Sequence, residues 1–101
     1  MTREKICSLV ELTRKVYEMV EHGGIIRLKE ATDLLRHNGI TANMHLGRGE
    51  EMKGKTDESL LLKFEWFLGQ LIDLEERSAY FAINSWLNTC CCYLEEANKR
   101  C

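Results

Sequence analysis

The side chains in this 101-residue chain best suited to chemistry are its five cysteines and three histidines. The cysteines are Cys7, Cys90, Cys91, Cys92 and Cys101. Their number is odd and three are consecutive, so no tidy disulfide framework follows. Successive residues on a helix point ~100° apart, so Cys90, Cys91 and Cys92 cannot converge on one metal ion. His22, His37 and His45 stand in no HxxxH or CxxC pattern, and no zinc site is expected. Free thiols in a reducing compartment pack as small apolar groups. Cys7 could serve as a nucleophile beside a histidine, but it falls near the inward stripe of the first expected helix, which favours packing.

Other catalytic signatures are weak. GxSxG and GxGxxG do not occur. Leu46-Gly47-Arg48-Gly49 is a glycine-flanked arginine that could approach an anion, though it does not lead from a strand into a helix. Glu75-Glu76 pairs two carboxylates, which reads as a solvated turn rather than an acid–base couple. Leu28-Lys29-Glu30-Ala31 followed by Gly39-Ile40-Thr41 has the flavour of a helix-turn-helix. The glycine comes late, however, and Gly47 cuts off any recognition helix. The net charge of −2 also excludes the strongly basic footprint of a non-specific nucleic-acid binder. No cofactor, metal or enzymatic activity is expected, and nucleic acid is not an expected partner.

The elements that would position these groups are helical. Ile6, Leu9, Val10, Val16, Tyr17 and Val20 recur at three- and four-residue steps, with Thr2 as a cap and Gly23-Gly24 as a stop. This predicts a helix over 3–22. Ala31, Leu34 and Leu35, closed by Asn38-Gly39, predict a second over 27–37. Residues 39–56 hold four of the seven glycines and predict a long loop. Thr56, with Asp57 and Glu58 behind it, caps a third helix carrying Leu60, Leu61, Phe64, Phe67, Leu68, Leu71 and Ile72. One helix over 57–100 would be ~66 Å long. A break is therefore expected near Asp73-Leu74-Glu75-Glu76, where Asp73 with Glu76 three later resembles a capping box. The last helix, 76–100, then buries Ala79, Ile83, Trp86, Leu87, Cys90, Tyr93 and Leu94.

The fold expected is one all-α domain of three to four helices: N-terminal helices over 1–38, a glycine-containing loop over 39–56 and an antiparallel C-terminal helical hairpin over 57–100. Seven of the eight aromatics lie between residues 64 and 93. Stripes this broad exceed what one hairpin covers, so cover by the two N-terminal helices is expected together with self-association through Phe64, Phe67, Leu71, Ile83, Trp86 and Tyr93. Charges break up the first twenty residues, and no window approaches the ~20 apolar residues of a membrane span. The expected setting is the cytoplasm, with no membrane partner.

The run Gly54-Lys55-Thr56-Asp57-Glu58-Ser59-Leu60-Leu61 reads GxTxExLL. Leu68, Glu76, Ala79, Leu87, Cys90, the pair Tyr93-Leu94 and the pair Lys99-Arg100 follow. This half of the chain, about 54–100, resembles the C-terminal helical hairpin of the phage anti-CBASS and anti-Thoeris sponge proteins, which sequester cyclic-nucleotide immune signals. Where that hairpin carries a polar, arginine-bearing face, this chain has Trp66 and Phe67. The resemblance implies a non-enzymatic oligomer that holds a cyclic nucleotide or an ADP-ribose-type ligand at subunit boundaries, in a host cytoplasm if phage-encoded. Lys53, Lys55, Thr56, Arg77, Lys99 and Arg100 would then be the ligand-binding residues, since phosphates seek cations and free helix N-termini. The alternatives are a helical inhibitor or adaptor that blocks a host protein through an aromatic-rich face, and a DNA-binding regulator.

Overall fold

The computed structural model describes residues 2–42 and 56–101. These residues form three helices, α1 (Thr2–His37), α2 (Asp57–Glu76) and α3 (Ile83–Arg100), with a 3-10 turn at Tyr80–Ala82. None of the described residues is in a strand.

α1 is broken at Gly24, whose backbone (φ 56°, ψ −143°) lies in the left-handed half of conformational space that glycine enters at little cost. It is therefore two helical legs, as the Gly23-Gly24 stop predicts. The first leg runs alongside α2 in the same direction: Arg3 meets Asp57 at the start of α2. The second leg turns back. Thr32 Oγ1 donates to Glu75 at the end of α2, whereas nine residues later the Thr41 backbone lies against Gly69. The leg closes at Asn38-Gly39 as expected, with the Ile40 amide donating to the Leu35 carbonyl at 3.1 Å.

Thr56 caps α2, its hydroxyl accepting from the Ser59 amide at 3.2 Å. The capping box expected at Asp73 is not formed. Asp73 is still inside α2, and its carbonyl accepts the Arg77 amide. The helix ends at Glu76, within the expected break, through backbone bonds: the Ser78 and Ala79 amides donate to Glu75 and Leu74. Ser78 takes a positive φ of 54° to make that turn, and α3 begins at Ile83 rather than at residue 76.

α3 turns Ile83, Trp86, Cys90, Tyr93 and Ala97 inward, a three- to four-residue period. Phe67 is sandwiched between two of them. Its ring lies 4.9 Å from Trp86 at 2° and 4.3 Å from Tyr93 at 10°. Trp86 Nε1 also donates to the Phe67 carbonyl at 3.0 Å, so the one polar atom of the indole is satisfied in the core. Burial is worth roughly 1.5–3 kcal/mol for a large apolar side chain, and each aromatic pair adds about 0.5–1.5 kcal/mol. Exposed ion pairs contribute far less, so this stack is the main tie between α2 and α3.

Gly69 shows how tightly the chain after the second leg is seated. A Cβ there would run into the Thr41 carbonyl oxygen, and the neighbouring Ile40 is buried. Alanine ordinarily gains about 1 kcal/mol over glycine inside a helix, whereas overpacking costs about 1–3 kcal/mol. Gly69→Ala is therefore expected to lower stability by about 1 kcal/mol in urea unfolding; an unchanged or more stable variant would show that the Thr41 segment is not held against α2.

Candidate functional site

The cations proposed as ligand-binding are not gathered into one site. Lys53 and Lys55 lie outside the described residues. Thr56 and Arg100 meet at one corner of the bundle through Asp57, which accepts from Arg3 Nε at 2.9 Å and from Arg100 Nη1 at 3.0 Å. Arg100 Nη2 and Lys99 Nζ each sit 3.6 Å from a carboxylate oxygen of Glu96. Arg77 is exposed at the far end of α2, 3.6 Å from Asp73; twenty residues of helix put it ~30 Å away. Each described cation of the set already faces a carboxylate. An anion at the N-terminus of α2 would also meet Asp57 and Glu58.

The six residues expected at a subunit interface lie elsewhere than expected. Phe64, Phe67, Leu71, Ile83, Trp86 and Tyr93 are all buried within the single chain. The first leg and the start of the second cover the broad stripes of α2 and α3, with Val10, Val16 and Leu28 in the same core. These six hold the fold together and offer no surface to a second copy.

The cysteines also differ from expectation. Cys7 and Cys101 form a disulfide, with Cα atoms 5.2 Å apart, while Cys90, Cys91 and Cys92 are free. The 94-residue separation hides the pair in sequence. The antiparallel run of α1 against α3 brings the two together. Burial pushes the Cys90 thiol up to about 12, so it packs as a protonated group. Cys91 is exposed and donates to the Tyr17 hydroxyl at 3.6 Å.

The Glu75-Glu76 pair is held by Arg36, at 3.3 and 3.2 Å, and ties the second leg to α2. Among the described residues no group of three His, Cys, Asp or Glu side chains is placed to hold a metal ion. A groove of about 490 Å³ opens between the first leg and α2, floored by Leu9, Leu12 and Leu61. Glu65 stands on its wall, its carboxyl raised by burial against the opposing pull of Lys5. No described helix is long and apolar enough to cross a membrane.

Two features escape the sequence reading. The first is an apolar bundle end. Cys7 lies against Cys101 and Tyr17 against Cys91, so ten residues forward on α1 match ten back on α3. Seven more place Gly24 level with Asn84, so the α1 break and the Tyr80–Ala82 turn lie toward the same end of the bundle. Ile26 (94% exposed) and Phe81 (89%), with Ile25 and Tyr80, stand open to solvent on these two turns. The signal was an isoleucine pair directly after a helix stop, where helical periodicity gives it no inward place. The second is Gly49 to Thr56, which spells GxxxxGKT, the pattern of a phosphate-binding loop. All of it but Thr56 lies outside the described residues, as do His45 and the Gly47-Arg48-Gly49 run. The strand that should precede such a loop is not found among the described residues.

Asp57 is held below the usual carboxylate range by Arg3 first and Arg100 second. A depressed carboxyl contributes stability above its unfolded pKa and loses it as pH falls through the folded value. The protein should thus lose stability steadily below about pH 4. Asp57→Asn should melt lower at neutral pH and show a shallower acid limb in thermal melts from pH 7 to 2; an unchanged acid limb would mean the corner is not ion-paired in solution.

Comparison with family models, with curated proteins and with solved structures finds no match to this chain.

Proposed function

We propose that this chain is a non-catalytic binding protein, an all-α bundle with an antiparallel α2–α3 hairpin that docks onto another protein as an inhibitor or adaptor. The exposed apolar side chains carry the reading: Ile25, Ile26, Tyr80 and Phe81 are exposed on two turns toward the same end of the bundle, while the other aromatics are mostly spent in the core. Large apolar side chains left in water have no folding role there, and clustered exposed ones mark interaction surfaces. Aromatic anchors that enter a partner's pocket are the usual energetic centre of such contacts.

A second reading is sequestration of a signalling nucleotide, favoured by the GxxxxGKT run leading into the capped N-terminus of α2. Asp57 and Glu58 in the first turn weigh against it. DNA regulation has no described feature in its favour.

The test isolates the partner on wild-type protein and then compares variants. Ile26→Ser with Phe81→Ser should weaken its binding at least tenfold without lowering the melting temperature, since both side chains are exposed. Leu62→Ser, exposed on α2 (55%) away from that end, should bind as wild type. Equal affinity for the double variant would overturn docking through this end. A melting-temperature rise of several degrees with a cyclic dinucleotide or ADP-ribose compound would instead favour sequestration.

A further inference from the structure

We infer that the groove between the first leg of α1 and α2 binds a small amphipathic monoamine, whose apolar body lies on Leu9, Leu12 and Leu61 and whose ammonium meets the Glu65 carboxylate. The site is separate from the apolar bundle end. Twelve residues of helix, about 18 Å, divide Leu12 from the break at Gly24.

The shape follows from where the second leg stops. Thr32 lies by Glu75 and Thr41 by Gly69, so that leg packs along the later turns of α2. Among the described residues, the seam between the first leg and α2 opens nearer the start of α2, and Asn38, just past the second leg, lines the opening. Leu9 and Leu12 share a face of α1 at a spacing of three, and Leu61 and Glu65 share a face of α2 at a spacing of four. The apolar floor and the carboxylate are thus one helical turn apart, about 6 Å along α2. The volume of about 490 Å³ is that of a small-molecule site, where a mostly apolar lining carries a few polar groups that orient the ligand.

Charge selects the ligand. Glu4 and Glu65 line the groove against one cation, Lys5. Glu4 and Lys5 are exposed, whereas Glu65 is half-buried. The deeper charge is therefore negative, which repels an entering anion and pairs with a cation. Burial raises the Glu65 carboxyl, and the Lys5 ammonium pulls against that rise without cancelling it. A second ammonium at this wall offsets the cost of ionising a half-buried carboxyl. It brings three N–H donors. Glu65 accepts one. Asn38 can accept another, because its Nδ2 already donates to the Leu34 carbonyl at 2.9 Å and its oxygen is the remaining end. A diamine fits worse, since its second charge would lie on the leucines.

The test titrates octylamine, octanol and octanoate into the whole chain at neutral pH and follows backbone amide shifts by NMR. Octylammonium should saturate shifts in residues 5–12 and 61–65. Octanol should bind there about tenfold more weakly, as loss of one charge-assisted hydrogen bond requires, and octanoate more weakly still. Glu65→Gln should reduce octylammonium to the affinity of octanol and leave octanol unchanged. Glu95→Gln, exposed on α3 away from the groove, should bind as wild type. Octanoate binding as well as octylammonium, shifts centred on Ile26 and Phe81 instead, full affinity in Glu65→Gln, or no saturable shift at the groove with octylamine would each overturn the site.

Discussion

The stack of Trp86 on Phe67 on Tyr93 is the contact on which the rest of the arrangement depends. Three parallel rings from two helices fix how far α3 can rotate about its axis. The Trp86 N–H bond to the Phe67 carbonyl fixes how far it can slide. With α3 set, Cys101 falls beside Cys7 and Arg100 beside Asp57. Phe64, tilted against Tyr93 with ring centroids 5.8 Å apart, extends the same cluster along α2. Most of the aromatic surface is thereby consumed inside one chain, and little is left to act elsewhere.

What is left divides between the two ends. One end is polar and covalently closed: Arg3, Asp57, Glu96, Lys99 and Arg100 surround the corner where the chain's first and last turns meet. The other is formed by two turns, at Gly24 and at Tyr80–Ala82, and shows Ile26 and Phe81 to solvent. Arg36 braces the second leg against Glu75 and Glu76, so the apolar turns are carried on supported helices rather than on a free loop.

Much of this was legible in the residues. Three- and four-residue spacing located the helices, and Gly23-Gly24, Asn38-Gly39 and Thr56 marked ends that the structure keeps. The start of α3 was misplaced because Asp73 and Glu76 offered a side-chain cap, whereas the chain closed α2 through backbone bonds at Ser78 and Ala79 and resumed as α3 only at Ile83. The aromatics were rightly read as the richest part of the chain, but periodicity says only that a stripe is covered, not by which helix. The candidate cations were the least legible. Arg77 and Arg100 are residues of one half of the chain, yet the length of a helix separates them. The disulfide was hidden for a related reason, since only the direction of α1 against α3 brings residues 7 and 101 together.

The claim under all of this is that a single chain seals its own aromatic core. Hydrogen exchange of the Trp86 indole N–H, followed by NMR across a hundredfold dilution, tests it directly. The account predicts strong protection that does not change with concentration. Protection that falls away on dilution would mean that a second copy covers those rings, and the reading of a self-contained bundle with an apolar docking end would be contradicted.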